Sequence, residues 1–171
     1  MNSRIQLSLF VPPPIREEIE AVRRLLDPVQ AALIPAHVTL CREDELEGVD
    51  AESLRARLIA AKTEPITLCF GAPERFQSHG ILMPCIAGGS EFEHLRRVLL
   101  ASGTVRHQAA HITLAHPRNP KSPYNRMSVA NRLPGTLTLK FTAVQRIQQV
   151  GSAMWQVLEQ NSLLAGAQND A

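Results

Sequence analysis

The sequence predicts a two-lobed fold of short strands and helices, built on a duplicated β-α-β unit around a central cleft. Three observations carry that expectation. Short apolar runs of strand character alternate with amphipathic helical stretches along the chain. One strand–helix–strand arrangement occurs twice, as Val22-Arg23-Arg24-Leu25-Leu26 before His37-Val38-Thr39-Leu40 and as Leu95-Arg96-Arg97-Val98-Leu99 before His111-Ile112-Thr113-Leu114. The helix segments are offset by 73 residues and the strands by 74, the mark of an internal duplication. Finally, 171 residues suit one domain, and two copies are too few for a solenoid. A cleft between two related lobes is the natural ligand site of such an arrangement.

In chain order, Ile5 to Val11 is an apolar strand stopped by Pro12-Pro13-Pro14. Ile15 to Leu26 repeats apolar residues at helical spacing, with Glu17, Glu18 and Glu20 early and Arg23 and Arg24 late, as the helix dipole favours. Ala36 to Cys41 reads as a strand, and Ala51 to Ala61 as a helix capped by Asp50. Ile66 to Phe70 is another strand. Gly80 to Ile86 is a strand placed at an edge or an end by Pro84. A helix from Glu91 to Leu100 follows, with Ser90 as its expected cap and Gly103 as its release. Ala110 to His116 is a strand closed by Pro117, and 117–135, with four prolines, is a surface excursion holding one short helical turn. Strands at Thr136 to Thr142, Val144 to Val150 and Met154 to Leu158 complete the domain. It is read as residues 1–161, in halves of about 5–71 and 78–160, with 162–171 a frayed tail.

Composition excludes several classes of function. No apolar run reaches the length that spans a bilayer, and the first residues lack a secretory pattern. Three widely spaced cysteines without a C-x-x-C pair argue against a disulfide framework and for a reducing, cytoplasmic setting. The net charge of +2 announces no long nucleic-acid track, so any phosphate contact is expected to be local. Arginines outnumber lysines 15 to 3, which base composition accounts for more readily than phosphate binding does.

The chemistry sits in the repeated His-x-Thr-x element, with apolar residues at each x. Alternation along a strand turns His37 and Thr39 to one face and Val38 and Leu40 to the other, and the second copy does the same. At this chain's composition about 0.05 such tetrapeptides are expected by chance; the chain has two. This pair of motifs, each ending a β-α-β segment, resembles the two-histidine (2H) phosphoesterase superfamily, which includes cyclic phosphodiesterases and bacterial 2′-5′ RNA ligase-like proteins. The resemblance implies a bilobal α+β fold with largely antiparallel sheets flanking a central cleft, chemistry without a metal or other cofactor, and phosphate-linked substrates. It assigns catalytic roles to His37 and His111 and phosphate binding to Thr39 and Thr113. The chain departs from the RNA ligase branch at His116, where many of those relatives have arginine.

Elementary chemistry agrees with that assignment. Opening a cyclic phosphodiester requires one group to take a proton from water and another to protonate the leaving ribose oxygen. Histidine holds either state near neutral pH, and threonine hydroxyls can donate to the phosphate oxygens. The motif symmetry leaves open which histidine is the base. The expected activity is that of a metal-independent phosphoesterase acting on 2′,3′-cyclic phosphates or 2′-5′ bonds of RNA or nucleotides, working as a monomer. The alternative is a non-catalytic RNA- or nucleotide-binding module using the same cleft.

Other residues are weighed against that site. Arg42 and Arg118, just past the two motif strands, are candidates to hold a phosphate or flanking nucleotide, or are solvated loop arginines. Tyr124 is a candidate to stack a base, whereas Phe10 and Trp155 are expected in the core. The His107/His111 spacing places two imidazoles too far apart on a strand to share an ion. Strand parity turns His116 away from His111, which gives it a capping or surface role. Loops 71–79 and 117–135 are expected to rim the cleft.

Overall fold

The computed structural model of the chain describes residues 3–164. Its elements are β1 (Ser3–Phe10), α1 (Ile15–Leu26), α2 (Pro28–Leu33), β2 (His37–Cys41), α3 (Ala51–Ala60), β3 (Ile66–Phe70), β4 (Glu74–Phe76), β5 (Gly80–Ala87), α4 (Gly89–Leu100), β6 (His111–Ala115), α5 (Met127–Ala130), β7 (Leu137–Phe141), β8 (Ala143–Val150) and β9 (Gln156–Ser162). The strands form one curled α+β sheet in the order β7-β3-β5-β6-β2-β1-β8-β9, with β4 added beside β5. Every neighbouring pair is antiparallel.

The pseudo-symmetry is visible in that order. At the centre β2 meets β6 through the single register pair Val38↔Ile112. Outward from it run β2-β1-β8-β9 on one side and β6-β5-β3-β7 on the other. The units β1-α1-β2 and β5-α4-β6 therefore occupy equivalent places. The spatial lobes are not the halves expected from the chain, however. β3, from the first half, pairs with β5 and β7, and β8 and β9, from the second, extend β1. Pairing between strands is non-local, so periodicity alone could not assign these partners. The helices also lie across the divide, with α1 against β6 and α4 against β2, although α4 packs on β3 of its own side as well.

Both motif strands bury their apolar residues: Val38, Leu40, Ile112 and Leu114 are buried, and the histidines and threonines are only partly so. α1 contributes Ile19, Val22 and Leu26 to the same core, and α4 contributes Phe92, Leu95 and Leu99. Each such side chain is worth about 1.5–3 kcal/mol when fully buried.

Several local expectations change. Pro84 lies inside the sheet, not at an edge. It sits where β5 exchanges β4 for β3 as a neighbour, and only its carbonyl is used there, accepting from the Gly71 N–H at 2.8 Å. The missing donor faces a gap in the pairing. The cap of α4 is Gly88, at φ +92, while the Ser90 hydroxyl lies inside the helix and donates to Glu91 at 2.8 Å. Its left-handed exit is Ala101 (φ 49), not Gly103. α2 was not expected, although Asp27 caps it through the Gln30 N–H at 2.9 Å and Pro28 opens it. The expected tail begins too early: Ser162 belongs to β9, Leu163 is buried, and both Leu163 and Leu164 donate backbone hydrogen bonds to other segments. The remainder of that expectation, 165–171, lies outside the described residues. No helix among the described residues is long and apolar enough to cross a membrane.

Candidate active site

A cleft of about 410 Å³ opens where the two motif strands meet, and His37, Thr39, His111 and Thr113 all line it. Both histidines are oriented by one local device. The Nδ1–H of His37 donates to the carbonyl of Pro35 at 2.8 Å, and that of His111 to the carbonyl of Ala109 at 2.9 Å. A carbonyl only accepts, so Nδ1 carries the proton and Nε2 is left as the reactive nitrogen of each ring. The device repeats because each motif histidine is the first residue of its strand, two residues after the carbonyl it meets.

The two rings differ in their surroundings. Phe10 lies opposite His37 in the β1–β2 register and meets it edge-to-face, with centroids 6.5 Å apart. Pro84 takes the equivalent place beside His111. Burial, reinforced by the Arg23 guanidinium and by His111, lowers the His37 pKa to about 4, against the upward pull of its bond to Pro35. His37 is therefore a neutral imidazole at pH 7, with a free lone pair on Nε2.

Beneath the motifs, two buried arginines at equivalent repeat positions hold the backbone. Arg23 donates to both Glu20 carboxylate oxygens, at 2.9 and 2.8 Å, and to the Ile34 carbonyl at 3.0 Å. Glu20 in turn accepts the Ala36 N–H, one residue before His37. Arg96 donates to Leu40 O at 2.7 Å, to Arg106 O at 2.8 Å and to Glu45 at 2.7 Å. Gln108 completes the tie by donating to the Thr39 carbonyl at 2.6 Å. The segments before His111 and after Thr39 are thus fastened to one guanidinium. On the cleft surface, Gln6 donates to Ser8 at 2.7 Å and to the Thr39 hydroxyl at 3.2 Å. That uses a lone pair of Thr39 and leaves its O–H free to donate.

The cleft gathers further residues. Arg42 and Arg118 line it, and neither side chain has a carboxylate partner among the described residues. Arg42 and His111 also border a second cavity of about 340 Å³, with Arg106, His107 and Gln108. Tyr124 is 59% exposed and is not among the cleft-lining residues. Loop 71–79 does not line the cleft either; His79 instead bonds the Asn119 carbonyl at 2.9 Å and braces the start of 117–135. Of the second loop, Arg118 and Asn119 reach the cleft.

Two expectations are corrected by the lining. Trp155 is a cleft residue, with the Arg4 guanidinium 5.3 Å from its ring centroid. His116 also lines the cleft. Parity misplaced it because β6 ends at Ala115, so His116 is no longer on the strand. Arg4, Gln6 and Gln149 were also missed. The polar alternation Arg4, Gln6, Ser8 along β1 was the available signal.

Cys41 beside the first motif is buried, and burial pushes its thiol up to about 12, which leaves it inert at neutral pH. No group of three or more His, Cys, Asp or Glu side chains among the described residues comes together as metal ligands would.

The family model of the 2′-5′ RNA ligase superfamily matches residues 11–153, a span that holds both motifs and the strands between them. The chain belongs to this superfamily. Among solved structures, Escherichia coli LigT complexed with phosphate is similar in fold, with a TM-score of 0.60 at 17% identity over 95% of this chain and 98% of that one. LigT complexed with 3′-AMP gives 0.52 at 14% identity, over 95% and 99%. The protein TT0787 of Thermus thermophilus gives 0.55 at 21% identity, over 94% and 97%. No curated protein sequence matches the chain.

Proposed function

We propose that this superfamily member is a metal-independent phosphoesterase that opens 2′,3′-cyclic phosphates, or cleaves 2′-5′ phosphodiester bonds, of RNA or nucleotides. The observation that carries the reading is the matched pair of imidazoles, each with Nδ1–H pinned by the carbonyl two residues earlier and both facing one cleft. His37 is the general base, because its depressed pKa keeps Nε2 unprotonated. It takes a proton from water as the water oxygen bonds to phosphorus. His111 enters protonated and gives its Nε2 proton to the ribose oxygen as the P–O bond breaks. Thr39 and Thr113 donate hydroxyl hydrogens to the non-bridging oxygens, each worth about 1.5–3 kcal/mol to a charged partner. Arg42 and Arg118 supply positive charge at the rim. With a 5′-hydroxyl in place of water as the nucleophile, the same groups join a 2′,3′-cyclic end to it without ATP. His37 takes the hydroxyl proton as the new P–O bond forms, and the ribose oxygen of the broken bond leaves with a proton from His111. The similar fold of LigT, solved with phosphate and with 3′-AMP, supports phosphate-bearing ligands.

The test is incubation, in EDTA, with 2′,3′-cyclic AMP, ADP-ribose 1″,2″-cyclic phosphate and a 2′-5′-linked diadenylate. Turnover that survives chelation and is lost in both His37→Ala and His111→Ala is the expected result. Binding without turnover across the panel would make the protein the non-catalytic module instead. Wild-type rates in either variant would refute the assigned site.

A further inference from the structure

We propose that His116 is a third working histidine of the cleft: a fixed hydrogen-bond donor that holds a non-bridging phosphate oxygen through Nε2 and takes no part in proton transfer. The proposal rests on the reading of the cleft as a phosphoester site and adds a residue to it. Its basis is a tautomer opposite to that of the two motif histidines. The Arg118 backbone N–H donates to Nδ1 of His116 at 3.2 Å. Nδ1 is therefore the acceptor nitrogen, and the neutral ring must carry its proton on Nε2. In His37 and His111 the Nδ1 faces a carbonyl and carries a proton, which leaves Nε2 as the nitrogen that can gain or lose one.

The surroundings keep the ring in that role. The His116 backbone N–H donates to the carboxylate of Asp27 at 2.8 Å, and Asn119 donates to the same carboxylate at 3.1 and 3.0 Å. Asp27 is buried and caps α2, so the His116 backbone is tied to a rigid point. Nε2 has no protein acceptor among the described residues, and it is not one of their buried polar atoms without a partner. It is a donor open to solvent on a residue that lines the cleft.

The electrostatics agree with this geometry. Burial first, and then the Arg118 charge, lower the His116 pKa against the opposing pull of Asp27. The ring stays neutral near pH 7, as the Arg118 bond requires, because protonating Nδ1 would set two N–H groups against each other. With a hydrogen on Nε2 the ring has no lone pair there to accept a proton. Nor can it give that proton up without gaining one at Nδ1, where the Arg118 N–H stands. His116 therefore binds an oxyanion in every state of the reaction, alongside the Thr39 and Thr113 hydroxyls.

Two variants separate donation from acid–base work. In His116→Gln the side-chain amide places an N–H near the Nε2 position; in His116→Ala the donor is gone. Inorganic phosphate affinity, measured by calorimetry, should fall about tenfold or more in the alanine variant and stay within about threefold of wild type in the glutamine variant, as loss of one bond to a charged partner requires. Rates on 2′,3′-cyclic AMP should follow the same order, with both limbs of the pH profile kept in His116→Gln. Independently of any activity, nitrogen-15 NMR of the histidine rings should show the Nε2–H tautomer for His116 and the Nδ1–H tautomer for His37. An Nδ1–H tautomer at His116, equal phosphate affinity in wild type and His116→Ala, or equal losses in both variants would overturn the proposal. Failure of the wild type to turn over any cyclic phosphate would count against the enzymatic reading alone, because phosphate affinity and the tautomer still decide the role of His116.

Discussion

Lowering the pH should separate His37 from an ordinary histidine. Its pKa is about 4 in the folded protein, against about 6.5 for the free side chain. At pH 5 an ordinary imidazole is neutral in only about 3% of molecules, whereas one with a pKa of 4 is neutral in about 90%. The structure therefore predicts that kcat/KM on a 2′,3′-cyclic nucleotide holds nearly level down to about pH 5 and falls only below it. An unshifted base would already have lost about 30-fold. Because kcat/KM reports the free enzyme, the acid limb measures this group directly. The same shift affects folding. Since burial depresses the folded pKa, the unfolded chain binds the proton more readily, so the stabilisation is complete above about pH 6.5 and is lost as pH falls through 4. The whole effect is on the order of 3 kcal/mol. It is read as the difference between urea unfolding of wild type and of His37→Asn across that range. An acid limb between pH 6 and 7, together with His37 titrating there by NMR, would refute both the burial argument and the choice of His37 as base.

The remaining predictions concern the supports of the cleft. Arg96→Ala removes the buried partner of Glu45, which keeps only the Arg42 N–H and the Arg106 guanidinium at 3.7 Å, and leaves the Leu40 and Arg106 carbonyls without their donor; it should cost about 3 kcal/mol or more in chemical denaturation. A loss below about 1 kcal/mol would show that the tie carries little. Gly88→Ala should destabilise by at least about 2 kcal/mol. Its Cβ would stand 2.3 Å from the Thr67 carbonyl oxygen at φ +92, so a melting temperature equal to wild type would contradict that close approach.

Much of the site was legible in the sequence because it depends on strand alternation. His37, Thr39, His111 and Thr113 share a face for the same reason that Val38, Leu40, Ile112 and Leu114 are buried. The duplicated helix segment also marked Arg23 and Arg96, although not their task. Their worth comes from carbonyls brought to them by the fold, at Ile34, Leu40 and Arg106. His116 marks the limit of alternation: parity is a property of a strand, and it stops applying one residue earlier, at Ala115. Large aromatics usually pack in the core, which is where the sequence alone puts Trp155. It reaches the cleft because its backbone N–H is bonded to the Leu33 carbonyl of α2, a helix too short to announce itself by periodicity.

By itself, then, the sequence determined the duplication, the run of strands and helices, and the two faces of each motif strand. All three follow from local spacing, which the chain carries wherever it is placed. Only the tertiary structure decided which strands pair across the halves, which arginines are buried, and how the two histidines differ. Those depend on neighbours distant in sequence. Phe10 and Arg23 desolvate and repel charge at His37, while Pro84 stands at the equivalent place beside His111. Two motifs that look interchangeable as tetrapeptides become unequal because burial and nearby charge, not residue identity, set where a proton rests.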